Sequence, residues 1–119
     1  MRIHHLALRT GDLARLERFY AGTLGIAVLR RDAGRSVWLD AAGTIVMLER
    51  REASEPSVDA RSLELVCFAI APGAHDAVVA RLAAAGVAIE ARTAFTLYFR
   101  DPDGRRVGVS SYPDAPDRG

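Results

Sequence analysis

Apolar and polar residues alternate in short runs along most of this chain, and in two places the spacing changes from two residues to three or four. Positions 3–9, Ile-His-His-Leu-Ala-Leu-Arg, put Leu6 and Leu8 on one side and His5, Ala7 and Arg9 on the other, as in a half-buried strand. Thr10-Gly11-Asp12 breaks the run, and Asp12 is a good N-cap for a helix starting at Leu13. Leu13, Leu16, Phe19, Tyr20 and Leu24 form a helical stripe that predicts a helix over 13–24, with Gly25 as its stop. Three strands are expected at 27–31, 35–40 and 44–50. Asp32-Ala33-Gly34 and Ala41-Ala42-Gly43 between them carry hairpin-turn chemistry.

The polar stretch 51–62, with Pro56, reads as a connector. The pattern then starts again. A strand is expected at 63–71, broken by Pro72-Gly73, and a helix at 75–85 with Val78, Val79 and Leu82 as its stripe and Gly86 as its stop. Strands are expected again at 87–91, 95–100 and 105–110. The last two are joined by Asp101-Pro102-Asp103-Gly104, where proline presets one φ and glycine accepts a positive one. Phe95, Leu97 and Phe99 are assigned to the side under the helix. Gly25 to Met47 is 22 positions and so is Gly86 to Gly108, so the two units run in near register.

The fold class is therefore α+β: two βαβββ modules, about 1–50 and 63–112, with a surface tail at 113–119. Each should form a curved four-stranded mixed sheet with its helix outside. The two inner faces should meet, within the chain or across a dimer, around a cup for a small molecule.

Composition narrows the function. A net charge of +1 on 119 residues, 26% of them charged, gives no electrostatic footprint for nucleic acid or an anionic membrane. No apolar run approaches the roughly 18 residues that span a bilayer, and 1–5 lead straight into a strand with no signal-peptide pattern, so a cytoplasmic location is expected. Cys67 is alone, which excludes an internal disulfide and a cysteine zinc cluster. In its apolar strand it is expected to act as a small hydrophobe.

Alternation places the candidate chemistry in the cup. His5 suits ligand contact or proton transfer, and Glu49 would be a general base if left unpaired, though Arg9 or Arg100 would neutralise it. Trp38 and Tyr98 offer flat surfaces for stacking. Met47, Leu65, Cys67 and Ala69 would form an apolar floor, with Gly108 leaving room and Arg100 at the rim. His4 and His75 are read as structural or surface residues.

The order His4-His5-Leu6-Ala7-Leu8, Gly11-Asp12-Leu13, Phe19-Tyr20, Leu24-Gly25 and Phe99-Arg100-Asp101-Pro102-Asp103-Gly104 resembles the vicinal oxygen chelate superfamily over 3–112. The resemblance implies paired βαβββ modules, a small-molecule cup and a homodimer. It also implies that metal-dependent members of glyoxalase I type would place ligands at His5, Met47, Leu65 and Gly108. Of these only His5 is a competent nitrogen or oxygen donor, and a thioether suits soft Cu(I) rather than harder divalent ions. The expectation is a metal-independent binder of an apolar or aromatic molecule, similar to bleomycin-resistance proteins, with no cofactor. The alternative is a lyase, isomerase or dioxygenase using His5 and Glu49, with or without a divalent metal at His5. A regulatory module whose cup is filled by Trp38, Met47 and Leu65 is the third reading.

Overall fold

In a computed structural model, residues 1–113 are described; most of the expected tail lies outside them. The first module runs β1 (His5–Thr10), α1 (Leu13–Glu17), a π-helical segment (Arg18–Thr23), β2 (Ala27–Asp32), β3 (Ser36–Ala41) and β4 (Thr44–Arg50). The second runs β5 (Leu65–Ala69), α2 (His75–Ala84), β6 (Ile89–Arg92), β7 (Thr96–Arg100) and β8 (Arg106–Ser110). Their sheets have the same topology, β1-β4-β3-β2 and β5-β8-β7-β6. In each, the module's first strand runs parallel to its last and the remaining pairs are antiparallel.

The single helix expected over 13–24 is divided. Asp12 caps it, Oδ1 accepting from Arg15 N at 3.0 Å. After Glu17 the turns widen, and Leu24 N donates to Phe19 O, five residues back, at 2.9 Å. The stripe itself accounts for the wider turn. Phe19 and Tyr20 are adjacent in sequence, yet both are buried, and a π-turn carries the extra residue that lets both face the sheets.

Three further boundaries differ from expectation. The strand expected at 87–91 begins at Ile89, because Val87 N donates to Leu82 O at 2.9 Å and closes the end of α2. The strand expected at 63–71 is trimmed to Leu65–Ala69. Phe95 does not pack under α2. Thr93 turns the chain, its Oγ1 accepting from Phe95 N and Thr96 N, and the Phe95 ring is 42% exposed, edge-on to Tyr112.

The helix-side residues of both sheets share one core. Leu8, Val46 and Leu48 of the first sheet and Leu97, Phe99 and Val107 of the second are buried together with Leu16, Tyr20 and Leu82. The π-segment reaches across the modules: the Phe19 ring lies 6.0 Å from Phe99 and the Tyr20 ring 6.3 Å from Phe68.

The opposite faces, which carry the candidate residues, are left open on β1 and β5. His5, Ala7 and Arg9 are exposed, as are Leu65, Cys67 and Ala69. Cys67 is thus not the buried small hydrophobe that its sequence context suggests, because among the described residues no second sheet covers β5 there. Among the described residues no helix is long and apolar enough to cross a membrane.

Candidate functional site

Strand register fixes which side chains stand abreast. Across the first sheet, Ala7, Met47, Trp38 and Arg30 form one row. Across the second, Cys67, Gly108, Tyr98 and Ala91 form the equivalent row. The internal repeat therefore sets Trp38 against Tyr98 and Met47 against Gly108. Period-two alternation turns each row out from the helix side.

Each aromatic is covered by a guanidinium. Arg30 Cζ lies 4.3 Å from the Trp38 ring centre, and Arg106 Cζ 4.3 Å from that of Tyr98. These are cation–π contacts, in which each guanidinium covers one face of its ring and helps to fix the ring's orientation. A bulge between Val28 and Arg30 delivers Arg30 onto Trp38. The Arg30 stack is not legible in the sequence, since a register shift in β2 leaves no mark in the alternation.

A hollow of about 510 Å³ lies on the first wall, lined by Arg9, Ser36, Trp38, Met47 and Glu49 among others. Trp38 Nε1 is buried there and has no hydrogen-bond partner among the described residues. A buried N–H left unpaired is costly, and a ligand acceptor would satisfy it. On the second wall a separate hollow of about 420 Å³ is lined by Leu65, Arg105 and Arg106 with connector residues Val58, Asp59 and Ser62. Neither hollow draws on the candidate residues of both modules.

His5 opens β1, exposed, with Nδ1 2.9 Å from Nδ1 of His4, so one of the two rings must donate to the other. It stands opposite Ile45, two residues along the strand from the Met47 row. Glu49 is ion-paired with Arg9 at 3.6 Å. Arg9 in turn grips Glu55 of the connector through Nε and Nη2, and the Arg9 hydrogen bonds hold the Glu55 carboxyl down at about 2. Glu49 is accordingly a partner in a tether rather than a lone carboxylate. Arg100 is also engaged. It forks onto Glu90, with Nη2 at 3.0 Å, and its Nη1 donates to Ser62 O at 2.8 Å, so it pins the connector to β7.

The four positions that would carry a glyoxalase-type metal do not fit one. They supply an imidazole, a thioether, an isobutyl group and a hydrogen. Gly108 is also hemmed in: a Cβ there would meet Cys67 Sγ and Leu97 O at 3.2 Å and Leu65 Cδ1 at 3.4 Å. The two positions without donors thus fill each other's space. Among the described residues no group of three or more His, Cys, Asp or Glu is placed to hold an ion.

Duplicated βαβββ units with a shared helical core and outward-facing strand rows define a class of protein by architecture. Residues 2–109 match the Glyoxalase/Bleomycin resistance protein/Dioxygenase superfamily, and the chain belongs to it. It is 30% identical to virulence protein STM3117 of Salmonella typhimurium over 125 residues, covering 93% of this chain and 84% of that protein. A glyoxalase/dioxygenase from Nostoc punctiforme superposes with a TM-score of 0.78 at 25% identity, over 91% of this chain and 88% of that one. Fosfomycin resistance protein FosX from Mesorhizobium loti gives 0.78 at 18% identity, over 94% and 92%, which is a likeness of fold.

Proposed function

We propose that this protein binds an apolar or aromatic small molecule, without the glyoxalase metal quartet, in a cup whose two walls come from two copies of the chain. The single observation that carries the reading is the pair of equivalent rows, Met47–Trp38 and Gly108–Tyr98, each an apolar floor beside a clamped aromatic ring. Stacking between two such rings buries a flat ligand, and the Trp38 indole N–H supplies an orienting donor. Gly108 leaves its row shallow where a carboxylate would otherwise project.

Support for a second copy comes from the exposure of β5. Leu65, at 39% relative exposure, adjoins exposed Cys67 and Ala69 on the strand face that the chain's own first sheet does not cover. A two-fold pairing would lay the first wall of one copy over the second wall of the other and cover both rows twice. The enzymatic reading draws less support, because Glu49 is held by Arg9 and His5 by His4.

The test is a thermal-shift screen of aromatic and heteroaromatic compounds, run with and without a chelator. A ligand at about a hundred times its Kd stabilises the fold by about 2.7 kcal/mol, and the shift should be the same with chelator present. Loss of every shift on chelation, with stoichiometric metal in the untreated protein, would overturn the proposal.

A further inference from the structure

A further hollow lies away from the cup side. It holds about 580 Å³ and lies where the two modules abut. The first module contributes Leu24 and Ile26, just after the π-segment, and the second contributes Phe68 of β5, Ile70 just beyond it and Val78 of α2. Ala27, Ala69, Ala74 and Ala77 leave it wide, since each ends at a methyl group. Its volume is that of an ordinary ligand pocket, and its walls are mainly apolar, with Thr23, Asp40 and Arg81 as the polar side chains.

Arg81 of α2 stands at the rim and is the one cation among its lining residues. It makes no ion pair and no side-chain hydrogen bond among the described residues. Its guanidinium lies over Gly25, where an added Cβ would come within 3.1 Å of Nη1. Gly25 has φ +76 and ends the first helical segment, so a larger residue would be strained there as well as crowding the arginine. On the far side of Arg81 a second depression of about 400 Å³ runs over Gly22, Ala84 and Ala85. The guanidinium is therefore reachable from both sides. Asp40, the one carboxylate among the described lining residues, accepts from Gly43 N at 2.7 Å.

We propose that this inter-module groove is a second binding site, distinct from the cup, for an amphipathic carboxylate. The aliphatic or aryl body lies between the modules, and the carboxylate is held by Arg81. Charge complementarity selects the class. Apolar walls with one fork-shaped donor at the rim, unengaged among the described residues, match a monoanionic head on an apolar tail, and planar guanidinium–carboxylate pairing fixes its direction.

Decanoate below its micellar range is the probe, titrated by calorimetry into the full chain, with decanol and decyltrimethylammonium as head-group controls. Decanoate should bind the wild type, and Arg81→Gln should weaken it about tenfold while Arg81→Lys recovers part of the loss. Ala77→Phe, a change at an exposed helix position, should block binding by filling the groove, with its circular dichroism spectrum checking that the fold is kept. Trp38→Ala, on the cup wall, should bind decanoate as the wild type does. No binding, equal binding by Arg81→Gln, or equal affinity for decanol would overturn the assignment. So would a conversion of dimer to monomer by Ala77→Phe, which would make the groove a contact between copies. Loss of decanoate binding in Trp38→Ala would move the ligand to the cup and end the proposal.

Discussion

The hydroxyl of Tyr20, in the first module, donates at 2.6 Å to Oδ2 of Asp101, in the final turn of the second. Asp101 has a fully buried side chain and needs every partner it has. Arg105 Nη1 reaches Oδ2 at 2.6 Å, and Oδ1 accepts from Asp103 N and Arg105 N at 2.9 and 3.1 Å. Burial, and then the charge of Asp101 beside it, push the Tyr20 phenol far above its ordinary value, so it remains a donor at any working pH. Arg105 extends the link by donating from Nη2 to Arg9 O at 2.9 Å. One carboxylate thus joins a helix, a turn and a strand from both modules. Tyr20→Phe keeps the ring and removes one donor. It should lower unfolding free energy by about 1–3 kcal/mol, read by urea denaturation, and leave any ligand affinity in the cup unchanged. A loss of cup affinity at unchanged stability would mean that the pair acts through the site instead.

A cup shared between copies makes a prediction that no single-chain cup makes. Trp38→Ala should remove one wall from each site and Tyr98→Ala the other, so each variant alone should bind poorly. Refolded together, the two variants form mixed dimers in which one of the two cups has both mutations and the other has neither. A mixture should therefore regain ligand binding at up to half of the mixed-dimer sites, measured by equilibrium titration. Were both walls supplied by the same chain, mixing would restore nothing.

The features legible in the sequence are those set by local interactions. The two modules, the hairpin turns and the sidedness of Trp38, Met47 and Glu49 come from alternation and turn residues, and the strands fall within two residues of expectation at most ends. Pairings that depend on tertiary approach are not legible. Nothing local in Tyr20 announces Asp101, 81 residues away. Arg100 looks free on the strand pattern, but its guanidinium is drawn to Glu90 and to the Ser62 carbonyl of the connector. Phe95 fits the alternation of β7, yet the turn at Thr93 ends the strand before reaching it. The open faces of β1 and β5 are beyond reach for the same reason: alternation says which side a residue takes and not what covers it.

The Arg9–Glu55 tether ties the connector to β1 and gives the fold an acid limb. The Glu55 carboxyl is held down to about 2 from an ordinary 4.5, chiefly by the Arg9 hydrogen bonds and the backbone N–H of Glu52. Because the folded value is depressed, the stabilisation is complete above the unfolded value. It fades as pH falls from about 4.5 towards about 2. Asp59 and Glu90 are lowered in the same direction by Arg61 and Arg100 respectively. Glu55→Gln should therefore flatten the acid limb of a stability–pH curve without abolishing it. It should leave the curve's shape unchanged above about pH 5, beyond the range of ordinary carboxylate titration.

Gly108 offers the sharpest test of whether the metal quartet is absent by accident or by packing. The position is buried, and a Cβ would sit 3.2 Å from both Cys67 Sγ and the Leu97 carbonyl oxygen. Of those two neighbours only the sulfur belongs to a side chain that can be shortened. Gly108→Ala should cost about 1–3 kcal/mol, as overpacking does in a closed space. Adding Cys67→Ala should recover part of that cost, since it removes the sulfur and leaves only the backbone contact. Gly108→Glu should be worse than Gly108→Ala in thermal unfolding and should not gain Mn or Ni by elemental analysis, because Leu65 and Met47 still offer no oxygen or nitrogen donor. If Gly108→Glu instead folds as well as the wild type and takes up one ion per chain, then the crowding by Cys67 and Leu65 yields easily. The missing carboxylate would then be the main barrier to a metal site, and packing would not be the reason for its absence.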